Sequence, residues 1–221
     1  MNIFDVAGPI TLGPSSSHTA GVIRIGNIYR KLIRGKIKKV DITFYGSLAE
    51  TFYGHRSHLA IIGGILGFRE YDERIRRAFY YARREGISFT FRIDREFYPP
   101  HPVSLKISGK SDEETLEVTG VSPGGGVAEI HEIWSFPVLI RSGTNTVLVL
   151  HRDTPGLLSK IASRVFAFGI NIGTAHLTRM RKGGEAILIL ELDDPIDERL
   201  VKIIEKIDEV IKVRTVPRDD L

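Results

Sequence analysis

The fold is decided by residues 146–172, which read TVLVLHRDTPGLLSKIASRVFAFGINI. The first six residues are mostly β-branched or large and apolar, which predicts a strand. Apolar residues then recur at helical spacing, and Gly169 stands where the left-handed residue after a helix belongs. The stretch therefore predicts a strand followed by a helix with an inward face at Leu157, Leu158, Ile161, Val165 and Phe168.

The residues that follow complete a recognised arrangement. We predict strands at 171–178, 185–192 and 210–216 and a helix at 195–207. Lys182-Gly183-Gly184 joins the first two of these strands as a hairpin. The order strand–helix–strand–strand–helix–strand is the split βαβ arrangement of ferredoxin-like domains. We therefore expect a ferredoxin-like domain over residues 146–221.

The sequence before the polar stretch 141–145 is less regular, and we expect it to form a separate domain over residues 1–141. Its strands and helices do not alternate, which favours an α+β fold over a doubly wound sheet. Gly124-Gly125-Gly126 indicates a loop or a close backbone approach. The predicted helices are 20–32, 59–66 and 71–84, and the predicted strands are 40–45, 87–93, 103–107 and 114–118.

Composition excludes several classes of protein. The 221 residues are 42% hydrophobic, which is typical of a globular chain. The most apolar stretch, residues 59–68, is about half the ~20 residues that a membrane-spanning helix needs. We see no signal peptide and expect a cytoplasmic protein with no membrane association. The net charge of +4 is scattered, so a nucleic-acid-binding regulator is the weakest interpretation. The chain has no cysteine, which excludes disulfides and a thiolate metal site of its own.

The first chemistry-bearing motif is Gly13-Pro14-Ser15-Ser16-Ser17-His18-Thr19-Ala20-Gly21. Its hydroxyls lie around the predicted start of a helix, where free N–H groups and the helix dipole attract an anion. His18 adds a proton or a positive charge. The alternative is an ordinary serine N-cap.

A second group of residues contains histidines. His55 and His58 share one face if the segment is helical, and with His101 they could bind a metal or act as acids and bases. His101 lies in the stiff segment Pro99-Pro100-His101-Pro102. The alternative is that these histidines are merely partly buried or exposed.

The motifs and their order resemble the beta subunit of iron–sulfur-dependent bacterial L-serine dehydratase (L-serine ammonia-lyase). The segment from Asn145 to Val216 resembles an ACT domain, a small amino-acid-sensing module. The residues that carry the resemblance are 13–21, Gly46-Ser47, Thr51, Gly54-His55, His101-Pro102, 124–126, 153–158 and 168–172. The N-terminal fold is then expected to be similar to the allosteric substrate-binding domain of some phosphoglycerate dehydrogenases.

The resemblance implies a reaction and a division of labour. The family converts L-serine to pyruvate and ammonia without pyridoxal phosphate. Its [4Fe-4S] cluster is held by cysteines of an alpha subunit, and the open iron acts as a Lewis acid on the departing hydroxyl. The absence of cysteine here fits that division. The expected partners are the cysteine-containing alpha subunit, L-serine, an amino-acid effector and a second copy of the ACT-like domain.

The resemblance also assigns roles to single residues. The proposed catalytic histidines are His55 as the base, with His18 and His101. The family's Gly-Thr-Asp after the histidine is replaced by Arg56-Ser57-His58, and Val103 replaces an expected Asn. The alternative function is a non-catalytic amino-acid-binding regulatory protein. Substrate binding is expected at Ser15, Ser16, Ser17 and Thr19, and effector binding at Asp153, Gly156, Gly169 and Asn171.

Overall fold

The computed structural model describes residues 15–97, 99 and 101–218. Its strands form two sheets, and its internal contacts divide the chain after Ser135 into two units. The sequence places the domain boundary a few residues later, between 141 and 146. The fold class is α+β, as predicted, and no described helix is both long and apolar enough to cross a membrane.

The first unit opens with a wide helical turn, Ser16–Gly21, that continues directly into the first α-helix. The predicted helix over 20–32 is therefore confirmed and begins earlier than expected. The helices are α1 (Val22–Leu32), α2 (Gly46–Thr51), α3 (Ser57–Ile65) and α4 (Ala78–Arg84), and the strands are β1 (Ile37–Tyr45), β2 (Ser88–Ile93), β3 (Val103–Ser111), β4 (Thr115–Gly124) and β5 (Val127–Ile133).

These five strands are neighbours in the order β2-β1-β3-β4-β5. β1 runs parallel to β2 and antiparallel to β3. A parallel pair needs a crossover, and α2, α3 and α4 lie between β1 and β2 along the chain. The end of β1 therefore leads straight into α2, while β3 brings the segment after His101 beside it.

Helices α1 and α3 approach each other backbone to backbone at Gly26 and Gly64. A Cβ atom added at Gly26 would lie 2.8 Å from the Ile61 carbonyl oxygen, and one added at Gly64 would overlap the Ile23 carbonyl. Only glycine allows so close a crossing. α3 is buried on all sides, so its glycines serve packing and do not break the helix.

Two expectations need revision. The predicted helix over 71–84 is instead a tight helical turn, Glu73–Arg77, followed by α4, because Arg77 leaves the helical conformation with φ −121° and ψ 24°. Strand β5 was not predicted. The pairing of β4 with β5 shifts register between Thr119 and Gly120, which interrupts the alternation of buried side chains. The three glycines of 124–126 form the turn between these strands, all with positive φ.

The second unit begins with β6 (Phe136–Arg141) and then has the predicted strand–helix–strand–strand–helix–strand order. Its four-stranded antiparallel sheet has the order β10-β7-β9-β8. One core lies between the sheet and the two helices and includes Val149, Ile161 and Leu188. The elements are β7 (Asn145–Arg152), α5 (Leu157–Ala167), β8 (Ile172–Arg179), β9 (Glu185–Leu192), α6 (Glu198–Glu205) and β10 (Val210–Val216).

Candidate active site

Ser15 begins the helical turn that carries the serine–histidine motif. Its backbone is extended, its Oγ accepts the N–H of His18 at 3.1 Å, and its carbonyl oxygen accepts the N–H of Thr19 at 3.1 Å. The N-cap interpretation therefore holds for Ser15. Ser16 and Ser17 contribute the first N–H groups of the helix, which have no carbonyl partner within it. Gly13 and Pro14 lie outside the described residues.

The imidazole of His18 is held from both sides by serine hydroxyls. Its Nδ1 atom lies 3.2 Å from Ser15 Oγ and 3.0 Å from Ser17 Oγ, and its Nε2 atom lies 3.1 Å from Ser47 Oγ. Partial burial lowers the pKa of His18 below its ordinary value of 6.5, and the neighbouring His55 lowers it further. His18 is therefore biased towards the neutral form, which has one N–H donor and one acceptor.

His55 lies beside His18 because two hydroxyls link their backbones reciprocally. Thr19 Oγ1 donates to the carbonyl oxygen of His55 at 3.1 Å, and Ser57 Oγ donates to the carbonyl oxygen of His18 at 2.6 Å. Thr19 and Ser57 are buried. The two imidazole ring centres are consequently 4.7 Å apart. Within the described chain, His55 Nδ1 is the only buried side-chain nitrogen without a hydrogen-bond partner.

The segment that contains His101 joins the same network through Ser47. The backbone N–H and the hydroxyl of Ser47 both donate to the carbonyl oxygen of Pro102, at 2.8 Å and 3.1 Å. His101 Nδ1 accepts the N–H of Val103 at 3.1 Å. Gly46 has φ +54°, and a Cβ atom there would overlap the Pro102 carbonyl. A glycine before Ser47 thus permits the close approach of the His101 segment.

His58 faces away from this network. Its Nδ1 lies 3.2 Å from the carbonyl oxygen of Phe52, and its ring stacks on Tyr53 with centres 5.0 Å apart. Burial lowers the pKa of His58. Among the residues that the structure describes, no three histidine, aspartate or glutamate side chains are grouped as metal ligands. The metal site considered for His55, His58 and His101 is therefore not formed by these side chains.

The departures from the family motif are explained in part by the backbone. Arg56 has φ +58° and ψ 26°, a left-handed conformation that glycine adopts without strain, and glycine stands at this position in the family motif. Ser57 keeps the hydroxyl of the family's threonine, and that hydroxyl makes the bond to His18. His58 changes the chemistry, because it replaces a carboxylate with an imidazole packed among aromatic rings, and Val103 changes it by replacing an amide with an apolar side chain.

The four expected effector residues lie at the two ends of α5. At the start of this helix, Asp153 Oδ2 accepts hydrogen bonds from Arg179 Nη1 at 2.8 Å and Gly183 N at 3.0 Å, and Gly156 has φ +83°. Beyond its end, Gly169 has φ +70°, and Asn171 Nδ2 donates to Asp193 Oδ2 at 2.7 Å. Eleven helical residues span about 16 Å. One small ligand therefore contacts one pair or the other within a single chain.

The structure thus brings Ser15, Ser17, His18 and His55 together and links His101 to them. Ser16 is exposed at the start of the turn. Sequence reasoning assigned no role to Ser47 or Ser57, which complete the network. The glycine before Ser47 was the available indication, since Gly46 follows a predicted strand directly.

These features define a class of protein: an α+β chain with a serine–histidine site in its first unit and an ACT domain in its second. Residues 145–209 match the family described as ACT domain, and residues 2–83 match the family described as Serine dehydratase beta chain. The chain belongs to the family of L-serine dehydratase beta chains, as its relatives demonstrate.

Two relatives cover nearly the whole chain. The probable L-serine dehydratase beta chain of Bacillus subtilis (strain 168) is 38% identical, with 96% of each chain covered. The L-serine dehydratase beta chain of Peptoniphilus asaccharolyticus is 33% identical, with 89% of each covered. The D-3-phosphoglycerate dehydrogenase of Synechocystis sp. is 29% identical over 83% of this chain and 33% of its own length.

Proposed function

We propose that this chain is the beta subunit of an L-serine ammonia-lyase that converts L-serine to pyruvate and ammonia with an iron–sulfur-bearing alpha subunit. The observation that carries the proposal is the hydroxyl–imidazole network around His18 beside His55. In the overall reaction, L-serine loses its Cα proton and its hydroxyl as water. The resulting aminoacrylate becomes an imine, and water hydrolyses the imine to pyruvate and ammonia.

The residues of this chain do not fit an iron–sulfur cluster. The sequence contains no cysteine, and the described residues hold no cluster of other ligands. Fe–S clusters are normally held by several cysteine thiolates, with histidine as an occasional substitute. We therefore assign the cluster to the alpha subunit and confine this chain to binding the substrate carboxylate and moving a proton.

Carboxylate binding is assigned to Ser15, Ser16 and Ser17. Their hydroxyls and the first N–H groups of the helical turn can donate hydrogen bonds to a carboxylate. Thr19 was expected to share this role, but its own proton is donated to the His55 carbonyl. In this proposal Thr19 joins the two histidine segments, and its contact with substrate stays a prediction.

The Cα proton is assigned to His55. A general base must have a nitrogen that is not committed to another group, and His55 Nδ1 has no hydrogen-bond partner. His18 lies close enough to relay a proton and is biased towards the neutral form that relays require. His101, joined to the network through Pro102 and Ser47, assists.

The test is an anaerobic reconstitution of this chain with its cysteine-bearing alpha subunit, followed by measurement of pyruvate released from L-serine. His18→Asn and His55→Asn are expected to lower kcat by about 100-fold or more, the usual contribution of acid–base groups. Complex formation, measured by size-exclusion chromatography, is expected to survive. His176→Asn is the matched control because His176 is exposed on β8.

Absence of pyruvate from the reconstituted wild-type complex would overturn the proposal. If the wild-type complex binds L-serine without turnover, and the His18→Asn and His55→Asn variants lose that binding, the amino-acid-binding regulatory alternative is favoured instead.

We propose that the ACT unit binds an amino acid and associates with a second copy of itself. We also propose that the chain divides into domains at residues 1–141 and 146–221. The two ends of α5 are separate candidate contacts, so two copies of the unit would have to contribute different ends to one ligand. Titration calorimetry of the full chain with L-serine tests this. Asp153→Ala and Asn171→Ala are both expected to weaken binding, and unchanged binding in both variants would contradict the proposed contacts.

A further inference from the structure

We propose that Ser47 is a positioning residue that fixes the tautomer of His18, with the proton on Nε2 and the acceptor at Nδ1. This inference rests on the proposed function for its catalytic meaning, although the tautomer itself is a property of the chain alone. Ser47 is the second residue of α2, immediately after β1.

The direction of each hydrogen bond follows from the number of protons available. The Pro102 carbonyl oxygen can only accept, so its 3.1 Å contact with the Ser47 hydroxyl is a hydrogen bond only when that hydroxyl donates its single proton there. The same hydroxyl lies 3.1 Å from His18 Nε2. When this proton goes to Pro102, Ser47 Oγ accepts from His18 Nε2–H and both contacts are hydrogen bonds; when it goes to His18 Nε2, the bond from the hydroxyl to Pro102 is lost. We assign the hydrogen to Nε2 of His18 because that tautomer keeps both bonds.

The backbone around Ser47 holds this arrangement in place. Its N–H also donates to Pro102 O, at 2.8 Å, so two bonds converge on one carbonyl. The left-handed Gly46 leaves no side chain to push Pro102 away. Thr51 Oγ1 donates to the Ser47 carbonyl at 2.7 Å, which satisfies the remaining polar group of Ser47. Ser47 is therefore fixed at its hydroxyl, its N–H and its carbonyl.

The consequence appears on the other side of the imidazole. A neutral His18 with its proton on Nε2 presents a lone pair at Nδ1, and both Ser15 Oγ and Ser17 Oγ reach it. One lone pair takes one hydrogen-bond proton well, so at any moment one of the two serines has a hydroxyl proton to spare. That proton is available to an anion, and the substrate carboxylate is the anion in the proposed reaction. The opposite tautomer would point an N–H at the serines, so Nδ1 could no longer accept a proton from either of them.

The tautomer is measurable without any turnover. Long-range ¹H–¹⁵N spectra of the full chain, labelled at histidine and recorded above pH 7, distinguish Nε2–H from Nδ1–H. The His18 signals are assigned by their loss in His18→Asn. We expect Nε2–H in the wild type, a shift to a mixture or to Nδ1–H in Ser47→Ala, and restoration in Ser47→Thr, which keeps the hydroxyl.

Ser88→Ala is the matched control, because the Ser88 hydroxyl also donates to a backbone carbonyl, that of Lys38, and belongs to β2 rather than to the His18 network. It is expected to leave the spectrum unchanged. An Nδ1–H signal for wild-type His18, or an unaltered spectrum in folded Ser47→Ala, would overturn the assignment. If Ser47→Ala does not fold, the wild-type spectrum alone decides.

Activity then separates this inference from the proposed function. In the reconstituted complex, Ser47→Ala is expected to lower kcat/KM about tenfold or more, with Ser47→Thr recovering most of it. Full activity in Ser47→Ala would overturn the catalytic meaning of the tautomer. A wild-type complex without serine turnover would overturn the proposed function and leave the tautomer assignment standing.

Discussion

The hydroxyl of Ser57 donates a 2.6 Å hydrogen bond to the carbonyl oxygen of His18. This bond ties the first residue of α3 to the turn that carries the serine motif, and Thr19 returns a bond to His55. Both donor residues, Thr19 and Ser57, are buried. The position of one imidazole relative to the other is therefore set by these two backbone links.

Removing the Ser57 hydroxyl should loosen the site more than the fold. Ser57→Ala leaves the His18 carbonyl without its donor, which is expected to lower the free energy of unfolding by about 1–3 kcal/mol. The proposed activity is expected to fall further than this loss of stability explains, because the imidazoles lose their fixed separation. Urea unfolding of the chain and kcat of the reconstituted complex measure the two effects.

Ser111→Ala is the control for Ser57. Ser111 is also a buried serine whose hydroxyl donates to a carbonyl, that of Glu114, but it lies at the end of β3, before the turn to β4. The Ser111→Ala variant should be less stable than the wild type and should keep its activity in the reconstituted complex. Equal loss of activity in both variants would contradict a special role for Ser57.

The crossing of α1 and α3 predicts that substitutions of two neighbouring glycines, Gly63 and Gly64, differ in their effect on stability. A Cβ atom at Gly64 would overlap backbone of α1, whereas a Cβ atom at Gly63 would lie 3.0 Å from Ile75 Cγ1, a side-chain atom that can move. Gly64→Ala is expected to cost about 3 kcal/mol or more, as in strong overpacking. Gly63→Ala is expected to stay within about 1 kcal/mol, since alanine also favours helix. Thermal unfolding compares them, and equal stabilities would refute the close crossing.

Stability should fall as the pH drops below 6.5. Burial lowers the pKa of His18 and His58 in the folded chain, so the unfolded chain binds more protons between the lowered values and 6.5. This contribution is complete above pH 6.5 and is lost as the pH falls through the folded pKa. Carboxylates with lowered pKa, such as Asp72, act in a more acidic range.

Urea unfolding at pH 7.5, 6.5 and 5.5 measures this slope. His58→Phe keeps an aromatic ring among Phe52, Tyr53 and Phe79 but cannot titrate, so its slope is expected to be shallower. His18→Asn should also reduce the dependence of the unfolding free energy on pH. A slope that neither substitution changes would show that other groups control acid stability.

The second unit could be predicted almost completely from the sequence. Its buried positions repeat at the period of a strand or a helix, and the expected strand at 185–192 coincides with β9. In the first unit the sheet irregularity hides β5, and the helix over 71–84 divides at Arg77. Alternation and spacing indicate elements only where the backbone stays regular.

The contacts of Ser15 and Ser17 with His18 could be predicted from the sequence, but the contacts that reach His18 from elsewhere in the chain could not. The motif placed hydroxyls beside His18 because they are adjacent in sequence. Ser47 and Ser57 reach His18 from distant parts of the chain. Their roles depend on the Gly26–Gly64 crossing and on the end of β1, which are tertiary features. A local pattern carries no information about either.

All the bonds that organise the two histidines begin and end between Ser15 and Pro102. One polypeptide therefore assembles this candidate site while it folds. An alpha subunit that binds over this site meets donors and imidazoles whose positions are already fixed. Association therefore loses little conformational entropy at this surface. In the proposed complex, the alpha subunit should accordingly complete the site by covering it, without refolding this chain.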